Sequence, residues 1–236
     1  DAMVALAREQ VEKLGTIATS RLRVRALGPL EIERDGAPVE GERRARELLL
    51  FLLTQPKGAT KEQIGAALWP DADAAKLRNN FHVTLHRLRK MLGAAEWISV
   101  DGETYSIDRR NVDFDVDLFE SEARAAMRSG DAERLARAAA IHRGDFFENA
   151  PPAEWHEEIR DRLRELLAGV LAALGRARTA SGDFKAAAEA YERLFALDTT
   201  DEDAARNLMI TLTKQGDVEG AERVSQRHQD ALRELE

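Results

Sequence analysis

The twenty residues Asp73 to Leu92, DAAKLRNNFHVTLHRLRKML, constrain the fold more than any other stretch. Leu77, Phe81, Leu85, Leu88 and Leu92 recur at steps of 4, 4, 3 and 4. That spacing puts all five on one side of an α-helix and predicts that this side faces a core. The opposite side carries Asn79, His82, Val83, His86, Arg87 and Lys90. From Ala74 to Leu92 the cations Lys76, Arg78, Arg87, Arg89 and Lys90 stand without one acid, in a chain of formal net charge -8. A helix with one apolar stripe, one hydrogen-bonding stripe and basic ends has what is needed to lie in the DNA major groove. A merely solvated amphipathic helix would show the same pattern, so the flanking sequence has to decide.

The net charge is unevenly spread. Residues 21–111 hold 16 Lys+Arg against 13 Asp+Glu, whereas residues 112–236 hold 17 against 27. A mildly basic part joined to a strongly acidic part predicts two domains with different partners. The expected divisions are an N-terminal helix or linker over 1–20, a DNA-binding domain over 21–111 and a helical domain over 112–236. With 44% apolar and 33% charged residues the chain reads as globular rather than disordered. It contains no apolar run near 18 residues and no visible signal peptide, so a cytoplasmic protein without membrane contact is expected. The first residue is Asp1 rather than Met, which fits a piece of a longer protein. The chain has no cysteine, which removes disulfides, thiolate metal sites and cysteine nucleophiles.

Arg21–Leu27 alternates, with Leu22, Val24 and Ala26 facing one way and arginines the other, which is strand periodicity. Leu30–Glu33 alternates again, and Asp35-Gly36 supplies a hairpin turn before a short return at Val39. Arg43 to Gln55 reads as a helix that buries Leu48, Leu49, Leu52 and Leu53, and Pro56-Lys57-Gly58 ends it. Thr60-Lys61-Glu62-Gln63 is a capping-box pattern opening a second helix, which Pro70 closes. Asp73 is placed to cap the basic helix. Trp97–Val100, Asp101-Gly102 and Thr104–Ile107 then form a hairpin. Strands, three helices and a hairpin, in that order, describe a winged helix-turn-helix with a leading antiparallel sheet.

From Asp115 strand signals cease. Six helices are expected, over 115–129, 132–143, 153–181, 184–197, 202–215 and 218–235. Gly182-Asp183 and Gly216-Asp217 lie 34 residues apart, the period of a tetratricopeptide repeat, and Ala187 maps onto Ala221 in that frame. A generic array of helical hairpins is the alternative; either stacks helices into a face for protein partners. The fold class is therefore mainly α with a small β part: a winged helix-turn-helix followed by an all-α, tetratricopeptide-like repeat domain.

Several segments together resemble the Streptomyces antibiotic regulatory protein family, an OmpR-type winged helix followed by a bacterial transcriptional activation domain. They are Leu27-Gly28-Pro29-Leu30, the helix from Arg44 to Leu53, Ala67-Leu68-Trp69-Pro70, and Asn79 through Lys90. In the second half they are the run Phe114–Phe119 and Gly144-Asp145-Phe146-Phe147 with Trp155. The resemblance covers residues 21–236. It implies a bacterial transcription activator that binds double-stranded DNA at direct repeats, contacts RNA polymerase and can pair as a dimer on DNA. One departure stands out. The wing tip, Asp101-Gly102-Glu103-Thr104-Tyr105, carries two acids and no arginine where the family commonly has a basic residue. Acid beside phosphate is repulsive, which argues against a minor-groove contact there.

The outer stripe assigns roles. Asn79, His82, Val83 and His86 are the expected base contacts: asparagine can bond adenine and valine can meet a thymine methyl. Arg87 joins them as a possible guanine reader, although a phosphate would also suit it. Lys76, Arg78, Arg89 and Lys90 are expected on phosphates, which supply affinity rather than sequence choice. His82 and His86 have the i, i+4 spacing of a metal pair, but no Glu follows His82 and no third ligand lies near in sequence. No metal, cofactor or catalytic residue is therefore expected, and the chain does not read as an enzyme. Trp69, Trp97 and Trp155 read as core anchors, and His142, His156 and His228 as surface or helix-packing residues. Asp113, Asp115 and Asp117 read as helix-opening residues rather than a calcium loop. The competing reading is a helical-repeat adaptor whose winged helix binds protein instead of DNA.

Overall fold

A computed structural model describes residues 20–151 and 153–235. The helix expected over 1–20 lies almost wholly outside the described residues. The chain divides into two compact units: one is the chain up to Asp115 together with Phe147–Glu157, the other Val116–Phe146 with Glu158–Glu236.

The first unit opens with β1 (Leu22–Arg25) and β2 (Glu31–Arg34), antiparallel in the register Leu22 with Arg34 and Val24 with Ile32. Leu22, Val24 and Ala26 are fully buried, so the alternation does turn one face to the core. β3 (Ala37–Pro38) returns along β2 after a two-residue turn at Asp35-Gly36. Both turn residues take positive φ, 53° and 82°, as a tight hairpin with the right twist requires. Val39 adds one more bond, its N–H donating to the Ile32 carbonyl at 2.8 Å. A seventh strand, β7 (Val112–Phe114), lies parallel to β1 and completes a sheet of order β3-β2-β1-β7. Directly after it the buried Asp115 carboxylate accepts the backbone N–H groups of Ala26 and Leu27 at 2.8 and 3.1 Å. Asp115 thus closes the end of β1 as well as opening a helix. The Ala26 carbonyl is used too: it accepts the N–H of Phe147 at 2.7 Å. Trp155 then sets its ring edge-on to Phe51 at 5.5 Å.

Three helices follow the leading sheet. α1 (Arg43–Leu53) buries an unbroken run from Glu47 to Leu53. β4 (Ala59–Thr60) leads into α2 (Lys61–Leu68), which is opened by a complete capping box. The Thr60 hydroxyl accepts from the Gln63 N–H, and the Gln63 side chain accepts from the Thr60 N–H at 2.8 Å. α3 (Ala74–Leu92) is the basic helix, and it packs on both α1 and α2. β5 (Ile98–Asp101) and β6 (Thr104–Ile107) form the wing hairpin, and β4 joins it to give the order β4-β6-β5.

Among the described residues of the second unit, every regular element longer than a single bridge is a helix. Its helices are α4 (Asp115–Ser129), α5 (Ala132–Ile141), α6 (Glu154–Ala180), α7 (Phe184–Leu197), α8 (Glu202–Gln215) and α9 (Val218–Arg233), of which Asp115 and the first turn of α6 belong to the first unit. α7 packs on α8 and α8 on α9. The 34-residue interval returns as geometry. Gly182 and Gly216 both take positive φ, and Asp183 and Asp217 both cap the following helix by accepting the N–H three residues on, at 3.2 and 2.8 Å. Ala187 and Ala221 are both buried one turn later. The molecule is thus mainly α with a small β part, a winged helix followed by a helical domain.

Candidate nucleic-acid interface

α3 is fixed at both ends. Asp73 caps its N-terminus, its carboxylate accepting from the N–H groups of Ala75 and Lys76 at 3.1 and 2.9 Å. The Lys76 backbone N–H, with help from the Lys76 side chain, holds the Asp73 carboxyl below its ordinary range, so the cap stays ionised. At the other end Gly93 takes the left-handed conformation at φ 76°. Arg34 Nη1 donates to the Leu92 carbonyl at 2.7 Å, a cation at the negative end of the helix.

The inner side of α3 is Phe81, Thr84, Leu85, Leu88, Met91 and Leu92, all buried. Leu77, expected in that stripe, is only half-buried; it lies over Gly65 of α2, where an added Cβ would stand 2.8 Å from Leu77 Cγ. Phe81 meets Tyr105 of β6 edge-to-face at 4.8 Å, which keys the wing sheet to the same helix. With its inner side anchored by a helix pair and a sheet, α3 presents the other side as a rigid face.

That other side is open. Lys76, Arg78, Asn79, His82, Val83, His86, Arg87 and Lys90 are all exposed. By the turn of an α-helix, Asn79, His82, Val83, His86 and Lys90 span an arc of roughly 100° opposite the buried stripe. Val83 is 39% exposed, an apolar side chain left in water at the centre of a polar face. Arg87 lies on one flank of the arc, where its Nη1 donates to the carboxylate of Glu42. Arg78 and Arg89 lie on the other flank. Arg89 is only half-buried rather than open, and its Nε is enclosed without a hydrogen-bond partner. Lys76 pairs with Asp73 at 3.4 Å, whereas Arg78 and Lys90 have no acidic partner among the described residues. Arg43 and Arg44, near the start of α1, are spent on the buried Glu47 at 3.6 and 2.6 Å.

The wing tip is exposed at Asp101, Gly102 and Glu103, so its two acids face solvent as the sequence implies. Trp97 is buried, while Trp69 and Trp155 are half-buried. Sequence reasoning missed the companions of Arg87. A groove of about 580 Å³ runs beside the second half of α3, bordered by Arg34, Val39, Glu42, His86, Arg87 and Lys90. Glu42 lies 45 residues before Arg87, and no local periodicity links the two.

Comparison with known proteins agrees with this architecture. Residues 114–235 match the family described as bacterial transcriptional activator domain. Among solved structures, Mycobacterium tuberculosis EmbR in complex with a low affinity phosphopeptide is similar, with a TM-score of 0.68 at 22% identity. The match covers 91% of this chain and 66% of EmbR, so the chain spans about two thirds of that protein. No curated protein matches in sequence.

Proposed function

The chain belongs to the bacterial transcriptional activator domain family, as the resemblance to Streptomyces antibiotic regulatory proteins implied, and on that premise we propose that it is a sequence-specific DNA-binding activator that reads the major groove with α3. The observation that carries the proposal is the open stripe of Asn79, His82, Val83, His86 and Lys90 on a helix whose opposite side is buried. A face offering amide, imidazole and methyl groups meets the hydrogen-bonding edges and thymine methyls that distinguish base pairs. In this reading Asn79, His82, Val83, His86 and Arg87 touch bases, while Lys76, Arg78, Arg89 and Lys90 serve phosphates.

The helical second unit is read as a tetratricopeptide-like platform for RNA polymerase or another protein partner. Its acidic balance keeps it off DNA by repulsion and leaves the basic helix to make that contact. Binding to direct repeats, with pairing of two copies on DNA, follows the family. None of the described helices is long and apolar enough to cross a membrane. The proposal places the protein in the cytoplasm and gives it no catalytic step and no cofactor.

Selection of bound duplexes from a random pool tests the reading. Enrichment of one sequence, repeated in tandem, is the expected result. A pool left unenriched, with a protein partner captured through the winged-helix unit, would favour the adaptor reading, which the acidic wing tip at Asp101 and Glu103 supports.

A further inference from the structure

Glu42 immediately precedes α1, and its carbonyl accepts the N–H groups of Ala45 and Arg46 at 3.0 and 3.1 Å. Its side chain makes no bond to that helix; the carboxylate accepts from Arg87 Nη1 on α3 instead. The loop before it is closely fitted: a Cβ at Gly41 would collide with the Met91 side chain, standing 2.8 Å from its Cγ. Both partners of the ion pair are exposed, 47% for the Arg87 side chain and 59% for Glu42. Pairs in that setting contribute little to stability. What the pair does is restrict Arg87. A free arginine explores many rotamers and takes the first phosphate it meets. With one Nη1 hydrogen held by Glu42, the guanidinium plane is set and its Nε–Nη2 edge is left to donate.

Two parallel donors match one base edge in the major groove, guanine, whose N7 and O6 both accept; adenine, cytosine and thymine offer no such pair. The Glu42 carboxylate also repels a phosphate that approaches Arg87. We propose that Glu42 is a positioning residue that commits Arg87 to reading guanine and withholds it from the DNA backbone. This rests on the reading of α3 as the helix in the groove.

The test uses the full chain, the duplex it selects from a random pool, and that duplex with each base pair changed in turn. Wild-type protein should prefer guanine at one position by roughly tenfold or more. E42A should cut that preference to about threefold or less at that position alone, with binding to unrelated duplex unchanged or tighter because a negative charge has gone. R87K keeps the charge but not the fork, and should lose the same preference. The double variant should lose no more than either single, because both remove one interaction. A sequence-specific wild type with an unaltered E42A profile, or an E42A that weakens every sequence alike, overturns this assignment alone. A wild type that selects no sequence overturns the α3 reading and this assignment together.

Discussion

α3 and α9 are built to the same plan and differ in how their charges are met. Both are amphipathic, with an apolar side buried and arginines on the other: Phe81, Leu85 and Leu88 face inward from α3, Ala221 and Val224 from α9. On α9 every arginine has an acid within reach. Arg223 has Asp217 and Glu219 at 3.9 and 4.0 Å, Arg227 has Glu192 at 2.7 Å and Arg233 has Asp230 at 2.8 Å. On α3 there is no acid in the helix, Arg78 and Lys90 have no acidic partner among the described residues, and the exceptions pair with residues outside the helix, Asp73 and Glu42. Amphipathicity alone therefore says only that a helix lies on a surface. Whether its charges are neutralised locally separates a solvated face from one kept for a polyanion.

Charge reversal breaks the comparison most sharply. R78E with K90E should lower affinity for the selected duplex by roughly 100-fold at moderate salt, while R223E with R227E leaves it within about threefold, by filter binding or fluorescence anisotropy. The inner stripes come next. Phe81→Ala should cost about 3–5 kcal/mol of stability, and Val224→Ala, which loses two methyl groups, about 1–2, by chemical denaturation. Helix caps give a smaller effect. Asp217→Ala, which frees the Gly220 N–H, should cost about 1 kcal/mol and leave duplex binding alone.

pH moves the helical unit least. His142, in the helical unit, is buried edge-on to Phe119 at 5.3 Å. Burial pushes its pKa below the ordinary histidine value, Arg193 and Arg164 push the same way, and Asp145 opposes them. A depressed histidine is protonated sooner in the unfolded chain. Its contribution is therefore present above about pH 6.5 and is lost as pH falls from there through the folded pKa. The Asp145 carboxyl is held down by its hydrogen bonds to Arg164, so its contribution is lost only below the ordinary aspartate range. His142→Phe should flatten the stability profile of the helical unit just below about pH 6.5 and leave the more acidic, carboxylate limb intact, by thermal melts across pH.

Sequence periodicity revealed the regular elements and little of what joins them. The six helices of the acidic half match the expected spans within two residues at each end, because glycine and aspartate mark their boundaries and alanine and leucine mark their inner sides. The Asp35-Gly36 turn, the Thr60 capping box and the Asp73 cap were legible for the same reason: their chemistry is local. β7 was not. Three residues are too few to show alternation, and their partner strand lies about ninety positions earlier. The return of Phe147 and Trp155 to the first unit, and the twin bonds of Asp115 to Ala26 and Leu27, depend on contacts that no short window contains. In the candidate site the outward stripe was readable, but the half-enclosed Arg89 and the Glu42 hold on Arg87 were not, since both are set by what packs beside the helix.

If the cations of α3 meet phosphates, binding to the selected duplex must depend on salt. The wild-type binding constant should fall steeply with added salt on a log–log plot, and R78E with K90E should flatten the slope by about 2, one unit for each phosphate no longer neutralised. A slope near zero for the wild type, or one that the double reversal leaves unchanged, would contradict the account.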